Sequence, residues 1–210
     1  MEDRKPTPQE SMEIISRMID ESKQRIAMPD VRISVMWAVL SVLTAAVVLT
    51  LYLTTGNIWY NFLWFAIPLI GFPLSHAMAR MTRVESGVRT YVDRISEVMW
   101  RIVGGIAIFL TGICIIFQAV GYPQAWIAMF YYAFVVVGFG AAMQGVILRE
   151  NSYVFGGIFS IIAGLTLTVC PLCGFGLPMI WTIPLYMLCF ILMFIVPAIV
   201  MRRKFAKEGK

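Results

Sequence analysis

Two cysteines separated by two residues offer the most specific chemistry in the sequence. Cys170 and Cys173 form a C-x-x-C pair near the middle of the last long apolar stretch. Membrane thiol oxidoreductases that use quinone carry such a pair at the membrane surface, and in an oxidising compartment the two thiols can close into a disulfide. A quinone-linked thiol oxidoreductase is therefore one hypothesis for this chain.

Other cysteines in the sequence favour a structural role for this pair. Such enzymes relay electrons through a second cysteine pair, whereas Cys114 and Cys189 fall in the middle of predicted spans, where thiols usually act as inert packing groups. No Lys, Arg or His lies beside Cys170 to favour its thiolate form. The pattern predicts a small-residue loop or a structural disulfide, and the redox role is kept as an alternative.

Acid–base chemistry inside the apolar stretches would depend on very few side chains. No Asp, Glu, Lys or Arg lies there, which argues against ion-coupled transport and leaves His76 as the candidate for proton transfer. A lone His near a span end is usually a hydrogen-bonded interfacial side chain, and Gln144 at similar depth is its expected partner. The polar candidates within the spans are His76, Gln118, Tyr131 and Gln144. The sequence predicts no catalytic residue, metal site or cofactor.

Three uncharged stretches must position these side chains. They are Ile33–Ala79, Ile102–Leu148 and Asn151–Met201, and a single Arg, Lys or Asp at the centre of a membrane helix would cost about 2.5–3.5 kcal/mol. Each stretch is roughly twice the ~20 residues that cross a bilayer core, and each is interrupted midway by Gly, Pro or Asn. The sequence therefore predicts an all-α, polytopic membrane bundle of six helices in three hairpins.

The predicted boundaries follow from these interruptions. A cytoplasmic N-terminal segment (1–32), a cytoplasmic helical segment (80–101) and a basic tail (202–210) flank the membrane domain (33–201). The six predicted spans are approximately 33–53, 58–79, 98–120, 124–147, 152–170 and 178–201.

The distribution of basic residues predicts the orientation. All 17 Lys and Arg residues lie before the first span, between the second and third, between the fourth and fifth, or after the sixth. The positive-inside rule therefore places both termini in the cytoplasm. The net charge of +5 is explained by this topology, so nucleic acid is not an expected partner.

Two apolar stripes outside the spans predict protein contacts. Thr7 and Glu10 form a capping box for an amphipathic helix that ends before Pro29. A second stripe recurs at helical spacing over residues 82–101. Either the two helices pack on each other, or residues 8–28 and 82–101 bind a soluble partner or a second copy of the chain. The predicted docking face of the first helix is Met12, Ile15, Met18, Ile19 and Ile26, and the second stripe is Val84, Val88, Tyr91, Ile95, Val98 and Ile102.

Small residues predict which spans touch, because close backbone approach drives helix association in lipid. The expected contact joins a stripe on the fourth span to one on the fifth. These stripes are Gly138, Ala141, Ala142 and Gly145 on the fourth span, and Gly156, Ser160 and Gly164 on the fifth.

Several segments carry a resemblance to known proteins: the run from Glu10 to Ile19, Gly138 to Gly145 followed by Gly156-Gly157, and Ile195-Val196-Pro197 with the basic run after Met201. With these segments the chain resembles uncharacterised six-span inner-membrane proteins of Bacteroidetes bacteria. The resemblance implies the fold and a bacterial inner membrane, but no particular activity. Such proteins are often encoded beside winged-helix regulators, so it also implies a cytoplasmic partner.

The sequence thus favours a non-enzymatic membrane protein that contacts the lipid bilayer and serves in sensing, regulation or scaffolding through a cytoplasmic docking platform. Two alternatives stay open. One is a small transporter or permease subunit for a neutral or lipid-like molecule, which needs no charge at membrane depth. The other is the thiol oxidoreductase using Cys170 and Cys173.

The predicted topology can be checked by labelling single cysteines introduced into a variant without the native ones. Positions Asn57, Gln124 and Gly174 should react with an impermeant thiol reagent added outside the membrane, because the predicted hairpin tips carry no charge. Positions Ser86 and Lys207 should react only after the membrane is opened. Labelling of Ser86 from outside would contradict the orientation.

Overall fold

The structure is a computed structural model that describes Thr7, Gln9, residues 11–14, Ser16, and residues 31–86, 91–122 and 124–208. Within these ranges the chain is helical and contains no strand. The elements are α1 (Arg32–Thr55), a 3-10 helix (Ile58–Phe65), α2 (Ala66–Ser86), α3 (Tyr91–Ala119), α4 (Gln124–Leu148), α5 (Asn151–Leu172), α6 (Met179–Phe190), a π-helical segment (Ile191–Ile195) and α7 (Val196–Glu208).

Six helical stretches in the described part are long and apolar enough to cross a membrane, as the sequence predicts. This confirms the all-helical class and supports a multi-pass membrane protein. The six stretches are Arg32–Thr55, Trp59–Met81, Tyr91–Ala119, Ala125–Leu148, Asn151–Leu172 and Met179–Lys204.

The predicted N-terminal amphipathic helix lies only partly within the described residues. Gln9, residues 11–14 and Ser16 are helical, and the Ser11 amide donates a hydrogen bond to the Thr7 carbonyl at 2.8 Å. The side chain of Met12 is 74% exposed. The other members of the predicted docking face, Ile15, Met18, Ile19 and Ile26, lie outside the described residues.

A two-residue turn joins α4 to α5. Arg149 takes a left-handed conformation (φ 53°), and the next amide, from Glu150, donates to the Gly145 carbonyl at 2.9 Å. A non-glycine residue in this conformation costs of order 1–3 kcal/mol and persists only where the surrounding structure holds it there. Because the turn is so short, α4 and α5 lie antiparallel and side by side, starting at the turn itself.

Small residues let the backbones of α4 and α5 touch, which confirms that the two predicted stripes meet. A Cβ added to Gly138 would lie 2.9 Å from the Gly157 carbonyl oxygen, and one added to Gly145 would lie 2.6 Å from the Val154 nitrogen. The Ser160 hydroxyl donates to the Phe134 carbonyl across this contact at 2.9 Å. The pair forms the most extensive helix contact in the described chain.

One residue of the predicted stripe faces a different neighbour. Gly156 packs on the π-helical segment, where an added Cβ would lie 2.9 Å from the Met193 Cα, while the adjacent Gly157 takes its expected place against α4. The π segment precedes Pro197, which has no amide hydrogen for the usual helical bond, and the Val196 amide instead donates to the Ile191 carbonyl. The widened turn brings its backbone against Gly156.

The second and third spans lie at the edge of this assembly. In the most apolar window of each span, 44% of the sixth is buried, but only 11% of the third and 6% of the second. Among the described elements α3 packs chiefly on α4, and α2 packs on α1 and the 3-10 helix. The core therefore consists of α1, α4, α5 and the sixth span.

Replacing Gly157 with Ala should destabilise the protein, because its Cβ would meet the backbone of Ala142 and Gly138. Overpacking of this kind costs about 1–3 kcal/mol. Thermal unfolding of the purified protein in detergent measures the loss. Gly112→Ala is the matched control, since no atom lies within 4 Å of its added Cβ. Equal melting temperatures for the two variants would contradict the backbone contact.

Candidate functional site

The C-x-x-C pair lies at the C-terminal end of α5, with Cys170 in the last turn and Cys173 directly after the helix. The helix continues through Cys170 to Leu172 rather than breaking at Cys170 as the sequence predicts, and the Phe175 amide donates to the Cys170 carbonyl at 2.9 Å. Both thiols are free, with Cys170 half-buried and Cys173 exposed, while Cys114 and Cys189 are free and buried. The pair therefore lies at the end of a helix, and neither thiol takes part in a disulfide.

The predicted polar candidates do not converge. His76 and Gln118 are exposed on the outer surfaces of α2 and α3, and Tyr131 is buried in the core on α4. Among the described residues no group of three His, Cys, Asp or Glu side chains could hold a metal ion. These positions are distributed over the surface and the core rather than around one cavity.

Gln144 binds α3 instead of the predicted partner His76. Its Oε1 accepts a hydrogen bond from the Trp100 indole nitrogen at 3.1 Å, and its Nε2 donates to the Ser96 hydroxyl at 3.2 Å. The prediction of a His76–Gln144 link was wrong because sequence spacing gives the depth of a side chain but not the direction it faces. The bonded amide fixes α3 against α4.

An ion pair between a buried carboxylate and a partly exposed lysine joins the start of α5 to the last helix. Lys204 Nζ lies 2.6 Å from Glu150 Oε2, and the Glu150 side chain is only 9% exposed. The Ser152 hydroxyl donates to Glu150 Oε1 at 2.9 Å, so this carboxylate also caps α5. Burial alone would raise the pKa of Glu150, but the hydrogen bonds from Lys204 and Ser152 and the Lys204 charge together lower it.

Aromatic rings form a continuous column through the bundle. The column starts at Trp64 in the 3-10 helix and ends at Trp100, which is held by Gln144. Edge-on and tilted ring pairs at such separations each contribute about 0.5–1.5 kcal/mol beyond their burial. Successive centroid distances are 5.1 Å for Trp64–Phe130, 5.3 Å for Phe130–Tyr186, 4.4 Å for Tyr186–Phe190, 5.8 Å for Phe190–Phe194 and 5.9 Å for Phe194–Trp100.

An open groove of about 650 Å³ lies between α3 and α4. Apart from Tyr91 and Arg94, which lie at its α3 start, the lining is apolar, and Ile161 of α5 contributes to it. α3 and α4 come into close contact beside the groove at Gly140, where an added Cβ would lie 3.0 Å from the Trp100 ring. The other main residues that line the groove are Ile95, Val98, Ile102, Ile106, Val136 and Phe139.

One wall of this groove is an apolar stripe that the sequence analysis assigned to protein contacts. Tyr91, Ile95, Val98 and Ile102 belong to the apolar stripe predicted to face another protein segment, and all four line the groove. Their helical spacing identifies one face of α3, but it does not show whether that face is covered. In the structure Tyr91, Val98 and Ile102 remain exposed.

No protein-family model matches this chain, and neither curated proteins nor solved structures give a significant match. Inference about function therefore rests on the geometry described above.

The Glu150–Lys204 pair predicts a loss of stability in acid. Because folding lowers the pKa of Glu150, its contribution is complete above the unfolded value of about 4.3 and is lost as the pH falls through the lower folded value. The melting temperature in detergent should therefore fall more steeply below about pH 4.3 for the wild type than for Glu150→Gln. Glu97→Gln, which removes an exposed i,i+4 pair with Arg101, is the control and should keep the wild-type slope.

Proposed function

We propose that this chain is a non-enzymatic component of the bacterial inner membrane with both termini in the cytoplasm and six spans in three hairpins. It serves in sensing, regulation or scaffolding, and its cytoplasmic helices at residues 8–28 and 82–101 bind a soluble protein or a second copy of the chain. The proposal agrees with the predicted orientation and with the resemblance to Bacteroidetes inner-membrane proteins.

The length of α3 is the observation that carries the proposal. The helix runs unbroken for 29 residues from Tyr91, which corresponds to about 43 Å, whereas the hydrocarbon core of a bilayer is about 30 Å thick. A rigid continuation of the third span therefore extends into the headgroup layer and beyond. Tyr91 on its first turn is 77% exposed, which leaves an aromatic side chain available for contact.

The filled interior supports this function over transport. The aromatic column from Trp64 to Trp100 occupies the space between the core helices, and Phe134, Ile183 and Met193 beside it are completely buried. Protein interiors packed in this way transmit displacement rather than open a passage, because they are hard to compress. Displacement of α3 would reach the core through Trp100 and Gln144.

Photo-crosslinking in living cells tests the proposed platform. A photoreactive amino acid at Met12 or Tyr91, both strongly exposed, should give adducts larger than the chain by the mass of a protein. The same amino acid at Phe175, which is 70% exposed in the loop after α5, is the matched control and should give none. Absence of protein adducts at both Met12 and Tyr91 would contradict the platform.

Removal of residues 1–28 separates docking from internal packing. If the N-terminal helix binds a partner, the deletion should abolish the Tyr91 adduct and leave the melting temperature in detergent unchanged. A lower melting temperature with the adduct retained would show that the helix packs within its own chain, and this part of the proposal would fail.

A further inference from the structure

We infer that the groove between α3 and α4 is a binding site for an anionic phospholipid of the inner leaflet. One acyl chain lies along the apolar lining, and Arg94 binds the phosphate. This site goes beyond the proposed docking role, and its assignment to the inner leaflet rests on the proposed orientation.

The dimensions of the groove match one lipid leaflet. From Tyr91 to Ile106 the lining on α3 extends about 22 Å, compared with about 15 Å for half of the hydrocarbon core. If the far end of α3 at Ala119 lies at the opposite edge of the core, Arg94 is about 37 Å from it and therefore about 7 Å beyond the near edge. Arg94 then lies at headgroup depth, while Ile102 and Ile106 lie at acyl-chain depth.

Charge gives the groove its preference for an anion. Arg94 is exposed and forms no ion pair or hydrogen bond among the described residues, in contrast to Arg101, which is 3.0 Å from Glu97. Glu97, one turn beyond Arg94, is thus already compensated. A guanidinium can bind a phosphate through two parallel hydrogen bonds, and basic sites beside spans on the cytoplasmic side bind anionic headgroups.

The wall of the groove is fixed before a lipid arrives. The hydrogen bond from Trp100 to Gln144 holds the first half of α3 against α4, and Gly140 permits close contact between the two helices at the groove floor. A surface of fixed shape loses little conformational freedom on binding, which favours a resident lipid over the freely exchanging lipids around the bundle.

Native mass spectrometry of the purified full chain in detergent tests the site. The delipidated protein is mixed with phosphatidylglycerol or phosphatidylcholine carrying identical acyl chains. We expect about fivefold more phosphatidylglycerol adduct than phosphatidylcholine adduct. In Arg94→Gln the two lipids should bind equally, whereas Arg80→Gln, at an exposed position on α2 outside the groove, should keep the wild-type ratio. Equal binding of both lipids to the wild type, or equal losses in the two arginine variants, would overturn the inference.

A second pair of variants tests the acyl-chain part of the site. Ile102→Trp fills the groove and should reduce adducts of both lipids, while Ile108→Trp, at a position 62% exposed outside the groove, should not. Melting temperatures show whether each variant is folded, and the exposed Arg94 variant provides the test should Ile102→Trp fail to fold.

Two other occupants are distinguished in the same experiment. Binding of glycerol phosphate at the concentration used for phosphatidylglycerol, unchanged in Ile102→Trp but lost in Arg94→Gln, would identify a free phosphate compound as the ligand and overturn the lipid site. A dimer mass that replaces the lipid adducts, and that Ile102→Trp abolishes, would show that a second copy of the chain covers the groove.

Discussion

The direct backbone contact between α4 and α5 is the constraint on which the other helices depend. The turn at Arg149 and Glu150 sets the two helices side by side, and Gly138, Gly145 and Gly157 remove the side chains that would separate them. The carboxylate of Glu150 then fixes the last helix through Lys204. On the opposite face of α5, the backbone of the π-helical segment packs against Gly156. The sixth span therefore occupies the centre of the bundle, and α1 packs against it.

The charge distribution, the length of the three uncharged stretches and the turn residues midway along them predicted the helical class and the number of spans. The small residues predicted which two spans meet. Depth could be estimated from position along a span, but direction could not, so Gln144 was assigned to His76 when it binds Trp100 and Ser96. The π-helical segment was also missed, since Pro197 in a span indicates a disturbed helix without specifying its form.

The candidate site could be predicted only in part for a related reason. An apolar stripe on a helix shows that one face avoids water, and in a membrane protein lipid, another helix or a partner can meet that need equally well. Ile95 and Val98 were expected to face protein, and in the structure they line an open groove. Only the structure, in which α3 packs chiefly on α4, shows that the first half of α3 is largely uncovered. The docking platform and the groove thus share one helix and overlap between Tyr91 and Val98.

The two-residue turn between α4 and α5 also has a consequence for biosynthesis. So short a connection cannot reach from one membrane surface to the other, and it leaves no slack for one helix to enter the bilayer while the other waits outside. We therefore expect the two helices to leave the insertion machinery as a single unit. Within that unit the Ser160 hydroxyl would already donate its hydrogen bond to the Phe134 carbonyl. The pair would then provide the surface on which the third span, which is made earlier and packs loosely, is retained.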